Sequence, residues 1–340
     1  MIATKPENKK SKELALGFVG VGWIGRNRME AILRDTGSKA FAIVDPELEN
    51  AAEAKKLAPK SCHLDSLQTM LEEEQLDGVV IATPSAMHAE QSIEALRAGK
   101  AVFCQKPLGR TANEVREVVE ASWQANQLLG VDLSYRYTKA FKAVYDLIKA
   151  GEIGEVYAVD LIFHNAYGPD KDWFYDIKKS GGGCVMDLGI HLVDLALWTL
   201  DFPEIKDVRS RLYHQGKKLT SFEEQVEDFA SVNMVSARDT NIHLECSWHI
   251  SAGRDAVIEA KFYGTKGGAA FKNINGSFYD FTAEKYNGTQ TETLVAPPDD
   301  WSGRAGVVWA KELLEGKKHD PEAGEEFIRT AEIIDRIYGR

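Results

Sequence analysis

The stretch LALGFVGVGWIGRNRMEAILRD, residues 14–35, decides the fold, together with FAIVDP at 41–46. An apolar run over 14–19 predicts a strand and 23–35 predicts a helix. Gly20-Val21-Gly22-Trp23-Ile24-Gly25 must make the turn between them. Glycines allow a tight turn and let backbone approach a pyrophosphate at the positive end of a helix. A second strand over 39–44 ends at Asp45, 25 residues beyond Gly20. A carboxylate there can accept hydrogen bonds from both ribose hydroxyls of NAD and repels the 2′-phosphate of NADP. Pro46 stands where an NADP site often carries Arg. The expected cofactor contacts are therefore Gly20, Gly22, Trp23, Ile24, Gly25 and Asp45, with NAD favoured over NADP. A glycine turn alone also suits an α/β domain that binds no nucleotide. Strand, turn, helix and acid in this order argue for the dinucleotide.

Outward from this unit the alternation continues. Helices are predicted over 48–57, 66–73, 88–98 and 111–126, and strands over 78–82, 101–104 and 128–131. The strands are almost continuously apolar, as strands covered on both faces are. Beyond residue 132 the texture changes. Helices over 138–150 and 184–200 accompany strand-like runs at 156–163, 225–235, 242–249, 257–263 and 269–272, and two helical patterns, 304–315 and 321–338, close the chain. The expected fold class is an α/β Rossmann domain, a doubly wound parallel sheet over 14–132, followed by an α+β domain with an open-faced, mostly antiparallel sheet over 133–340. Residues 1–13, polar and Lys-rich, are expected to form a disordered tail.

The 340 residues carry 41 basic and 52 acidic side chains, a net charge of −11, with 44% apolar residues. That balance is globular, and the length serves about two domains. An acidic chain without a basic stripe is a poor partner for nucleic acid or an anionic membrane surface. No run approaches the ~18 uncharged apolar residues of a membrane span, and the N-terminus lacks the apolar core of a secretory signal. Cys62, Cys104, Cys184 and Cys246 are far apart and form no CxxC pair. Buried thiols in a cytoplasmic protein are expected, not a disulfide frame or zinc site.

Three further segments carry chemistry. Thr83-Pro84-Ser85-Ala86-Met87-His88 follows the strand at 78–82 and faces the ligand crevice of an open parallel sheet. Thr83, Ser85 and His88 are candidate cofactor contacts, with Pro84 packing on the cofactor; a proline turn capping the next helix is the alternative. Gln105-Lys106-Pro107 follows the strand at 101–104, so Lys106 can donate to a substrate hydroxyl from the same edge. Gly181-Gly182-Gly183 precedes Cys184-Val185-Met186-Asp187-Leu188-Gly189-Ile190-His191-Leu192-Val193-Asp194. On a helix Asp187 and His191 are four apart and share a face. A carboxylate beside an imidazole suits a general acid/base pair, and equally a buried His satisfied by Asp. No Cys or His stands nearby at metal spacing, so no metal is expected.

Taken together, GFVGVGWIG, IATPSAMH, the QKP segment, AGEIGEV and SGGGCVMDLGIHLVDLALW resemble the Gfo/Idh/MocA family of NAD(P)-dependent oxidoreductases, from about Leu14 to the C-terminal helices. The resemblance implies that Lys106 matches the lysine of a Glu-Lys-Pro motif that contacts the reacting oxygen. It implies that Asp187 and His191 match a second motif whose His is the general base, and, more loosely, that Arg136 belongs to the substrate pocket. His164, Asn165, Tyr167, Trp173 and Phe174 are candidates to line a sugar pocket. One departure stands out: the motif's Glu is Gln105 here, which leaves Lys106 without an adjacent anion.

The expected chemistry is oxidation of a secondary alcohol of a sugar, sugar derivative or cyclitol. His191 removes the hydroxyl proton, Asp187 holds its ring, Lys106 steadies the oxygen, and NAD takes the hydride. The alternatives are a non-catalytic, NAD- and sugar-responsive regulatory protein and an NAD-dependent glycoside-cleaving enzyme. Apolar residues beyond one alternating set in 230–235 and 242–248 predict a homodimer or homotetramer through the C-terminal sheet.

Overall fold

The structure, a computed structural model, describes residues 13–221 and 224–340. Apart from Glu13, the expected tail lies outside the described residues. Six strands, β1 (Ala15–Val19), β2 (Lys39–Val44), β3 (Cys62–His63), β4 (Gly78–Ile81), β5 (Ala101–Cys104) and β6 (Leu129–Val131), form a parallel sheet in the order β3-β2-β1-β4-β5-β6. Every residue of β4 and β5 is buried, as the continuous apolar runs require. Helices α1 (Trp23–Thr36), α2 (Leu48–Leu57), α3 (Leu67–Leu71), α4 (Ser85–Arg97) and α5 (Ala112–Ala125) supply the crossovers. The strand order reverses between β1 and β4, which opens a crevice at their carboxyl ends.

Local sequence explains the helix ends. Thr111 accepts from the Glu114 N–H to start α5, and Asn126 closes it at φ 48°. Helix α4 begins at Ser85, three residues before the predicted 88, because Pro84 holds the extended conformation of an N-cap.

The second sheet has nine strands: β7 (Val156–Asn165), β8 (Ile205–His214), β9 (Lys217–Lys218), β10 (Phe229–Ser236), β11 (Asn241–Ser247), β12 (Ala256–Gly264), β13 (Gly267–Asn273), β14 (Phe281–Asn287) and β15 (Gln290–Val295). Their order is β15-β14-β13-β12-β7-β11-β10-β8-β9, antiparallel except for the parallel pair β7–β11. One face is core: Val159, Leu161 and Phe163 align with Ile242, Leu244 and Cys246 and with Phe262, Ala260 and Ile258, all buried. Against it pack α6 (Lys139–Lys149), the one-turn α7 (Ile177–Ser180) and α8 (Ile190–Thr199). The run Ile177–Thr199 reaches a mean hydropathy of 1.2 over 18 residues, yet 94% of that window is buried inside the protein. It is the central packed segment of the fold.

Of the last two helices, α9 (Arg304–Leu314) packs on the first sheet and α10 (Pro321–Tyr338) bridges the two. Trp309 of α9 is buried against Phe103 of β5, ring centroids 5.7 Å apart. Helix α10 lies across both α5 and α8. The segment 304–338, read from sequence with the second unit, thus packs partly on the first.

Candidate active site

Three glycines shape the crevice, each for its own reason. Gly20 adopts φ +78°, and a Cβ there would stand 2.6 Å from the Ala82 carbonyl oxygen. A Cβ on Gly25 would stand 2.0 Å from the Gly20 oxygen, so α1 approaches the turn only without a side chain. Around Gly22, among the described residues, nothing lies within 4 Å of that position; its open side faces the cleft. Helix α1 starts with no side-chain cap and no acidic residue in its first turn. Its first N–H groups and the positive end of its dipole are left for an anion. This arrangement fits a dinucleotide pyrophosphate.

Asp45 is buried. Its Oδ2 accepts from the Val21 N–H at 2.7 Å and its Oδ1 from the Glu47 N–H at 2.9 Å. Its Oδ1 also accepts the Asn50 side-chain amide at 3.4 Å, so the expected ribose acceptor pins the glycine turn from behind the cleft wall and keeps acceptor capacity on Oδ2.

The cleft, about 620 Å³, runs from the glycine turn to segments 169–174 and 180–187. Of the residues expected from sequence it brings together Gly22, Trp23, Ile24, Gly25, Thr83, Ser85, His88, Lys106, Trp173 and Asp187. Their roles differ. The Thr83 hydroxyl donates to Gln91 Oε1 at 2.7 Å. The His88 ring sits between the Pro107 and Thr83 carbonyls at 2.6 and 2.7 Å, clamping the two loops together. Pro84 caps α4 and is not part of the wall. Trp173 and Phe174, stacked at 3.8 Å, give the wall an aromatic face opposite the glycine turn.

At the inner end, next to the cis Lys106–Pro107 bond, Lys106 Nζ donates to Asp187 Oδ1 and to the Asp187 carbonyl, both at 2.7 Å. Trp248 Nε1–H donates to Asp187 Oδ2 at 3.1 Å. Both carboxylate oxygens are engaged, neither by His191. This corrects the expectation that Asp187 holds the His191 ring. Residues 185–189 form a π turn, whose wider winding breaks the α-helical register between 187 and 191. Buried Glu227 anchors that turn, accepting from the Gly183 and Val185 N–H groups and from the Tyr338 hydroxyl. His191, on the following turn, is 8% exposed, outside the cleft lining. Its Nδ1 is buried with no hydrogen-bond partner among the described residues, and the Tyr135 ring meets it edge-on at 4.9 Å. Burial, then the Lys106 and Arg28 charges, hold the imidazole well below the usual histidine range. At neutral pH it is an uncharged base with a lone pair free.

Three expected substrate residues are corrected. Arg136 makes a bidentate pair with Asp194 (2.8 and 2.5 Å) and a third bond to Glu326 at 2.6 Å, so it braces α8 against α10 rather than entering the cleft. A buried guanidinium needs that many acceptors. Tyr167 is 57% exposed and donates to Asp255 Oδ1 at 2.5 Å, while Asn165 Oδ1 accepts the Tyr167 N–H. Both close the end of β7, away from the cleft. His164 bonds Ser247. Trp248 went unforeseen, because its bond to Asp187 spans 61 residues and leaves no local signature. Of the cysteines, Cys104, Cys184 and Cys246 are buried, and burial pushes the Cys104 thiol up to about 12. Cys62 is exposed.

Comparison with known proteins adds to this geometry. Residues 14–133 match an oxidoreductase family with an NAD-binding Rossmann fold, and residues 141–270 match the GFO/IDH/MocA C-terminal domain. The chain is 29% identical over 187 residues to the 1,5-anhydro-D-fructose reductase of Ensifer adhaerens, a match over 54% of this chain and little more than half, 56%, of that relative. It is 29% identical over 257 residues to the inositol 2-dehydrogenase of Rhizobium meliloti (strain 1021), covering 76% and 75% of the two chains. A 3-ketoreductase from Actinomadura kijaniata, solved with NADP and TDP-benzene, superposes with a TM-score of 0.82 over 96% of this chain and 98% of that one at 20% identity, a likeness of fold.

Proposed function

Because this chain belongs to the Gfo/Idh/MocA family of NAD(P)-dependent oxidoreductases, we propose that it interconverts a ring secondary alcohol of a sugar, sugar derivative or cyclitol and the matching ketone. The observation that carries this reading is the Lys106 ammonium, locked 2.7 Å from Asp187 on the wall of the cleft that starts at the glycine turn. Bound NAD supplies the hydride acceptor, held by the Gly20–Gly25 turn and the first N–H groups of α1. The stacked Trp173 and Phe174 suit the C–H face of a sugar ring. Lys106 donates to the reacting oxygen as negative charge builds there. Asp187 and Trp248 keep the ammonium aimed. His191, uncharged in its buried site, accepts the hydroxyl proton.

Asp45 supports NAD over NADP: a buried carboxylate at the end of β2 repels a 2′-phosphate. The outer face of the second sheet supports self-association. Ile162, Val257, Phe229, Val235 and Tyr263 all lie on that face, half-buried among charged neighbours. The test of the reading is a panel of sugars, cyclitols and their keto forms with NAD(H) and NADP(H), followed at 340 nm. Turnover of a ring polyol with NAD supports it. Inertness of the whole panel with both cofactors overturns it.

A further inference from the structure

Beneath the lysine lies a buried polar cluster that the reaction above does not use. Asp132, fully buried just past β6, receives Arg28 Nε at 2.6 Å and the Gln105 side-chain amide on its Oδ2, and the Ser134 hydroxyl at 2.7 Å on its Oδ1. Arg28 reaches out from α1. Three more of its N–H groups go to Asn27 at 2.7 Å, Ser302 at 3.1 Å and Ser134 at 3.3 Å. Gln105, meanwhile, lines the cleft next to Lys106. The side chain before the candidate lysine is thus neutral and spends an N–H on a carboxylate one layer deeper. That carboxylate is the direct partner of a buried cation.

We propose that Asp132 is a positioning residue whose charge, shared with Gln105 and Arg28, stands behind the Lys106–Asp187 pair and acts on His191 through Arg28, and that positions 105 and 132 together hold one carboxylate, not two and not none. This rests on the oxidoreductase reading and goes beyond it. A second carboxylate at 105 would meet Asp132 in hydrogen-bond contact with no proton between them. Without any carboxylate, Arg28 stays buried and unpaired. His191 feels either change. The charged or titratable groups around it are Arg28 from α1, Lys106 from the end of β5, Tyr135 from the turn after β6 and Asp187 on its own helix segment. Two of these are cations that already oppose its protonation. Loss of the Asp132 charge leaves Arg28 uncompensated and makes proton uptake harder. A carboxylate added at position 105 makes it easier.

The experiment is a charge cycle: wild type, Asp132→Asn, Gln105→Glu and the double variant, which carries the wild-type charge. In the pH–rate profile for oxidation, the acid limb moves to lower pH in Asp132→Asn and to higher pH in Gln105→Glu, and returns to the wild-type position in the double variant. Thermal melting without substrate gives a second readout. The carboxyl introduced by Gln105→Glu has its folded pKa raised by Asp132, so it contributes stability below its unfolded value and loses it as pH rises through the folded one. The melting deficit of Gln105→Glu is therefore small at pH 5, grows toward pH 8, and shrinks in the double variant. An acid limb unmoved in the single variants, or a double variant that melts no higher than the worse single one, overturns the proposal. If the wild type turns over no polyol, the oxidoreductase reading fails and the melting cycle still decides the charge pair.

Discussion

The environment of His191 fixes its protonation state. Burial and two nearby cations keep it neutral, so the acid limb of alcohol oxidation should fall below the ordinary histidine value of about 6.5. A limb at or above that value would contradict the account. Replacing the imidazole, as in His191→Ala, should cut turnover by about 10²–10⁴-fold and leave NAD affinity nearly unchanged, read by fluorescence titration. Trp248 acts one step back. Trp248→Phe keeps a ring against Phe174 and Tyr175 and deletes only the N–H that holds Asp187. Its kcat should fall by about tenfold with KM within a few-fold, the signature of lost alignment rather than lost binding.

At the scale of elements, the glycine turn separates folding from ligand binding. Gly22→Ala adds a methyl into open space at the cleft, so the protein should melt as the wild type does and bind NAD at least about tenfold more weakly. Gly25→Ala puts a Cβ against the Gly20 carbonyl and should lower the melting point as well. Equal melting of both variants would contradict this division of labour. The same turn shows what sequence makes legible. Most Rossmann elements are legible to within about three residues, because covered parallel strands are continuously apolar and helices such as α5 carry cap residues, Thr111 and Asn126; the two-residue edge strand β3 (Cys62–His63), too short for a pattern, is not. The second sheet was less legible. Strand β8 carries Lys206, Arg209 and Arg211 near the sheet edge, which hides its alternation. The β14–β15 hairpin is polar, and only Asn287-Gly288, with Gly288 at φ 57° in a two-residue turn, betrays it. The π turn at 185–189 was invisible, because a helical pattern does not state its pitch. That is why Asp187 was paired with the wrong partner, while Lys106 and Asp187 themselves could be picked out.

For the whole molecule, helix α10 makes the two sheets one unit, lying across α5 on one side and α8 and β8 on the other. Trp309, buried in the first sheet's core, holds α9 against β5. Trp309→Ala should lose roughly 3–5 kcal/mol of stability in denaturant unfolding; a loss under about 1 kcal/mol would mean that α9 is dispensable. The outer face of the second sheet should bring copies together, and a monomeric mass in light scattering at micromolar concentration would refute that. The proposed chemistry turns on Lys106, aimed by Asp187, steadying the reacting oxygen of an alcohol beside NAD. The direct measurement is kcat/KM for the best polyol with wild type and Lys106→Met, alongside the NAD dissociation constant of each. The account predicts a loss of at least about a hundredfold in kcat/KM with NAD binding changed by no more than a few-fold. Turnover retained in Lys106→Met would contradict it.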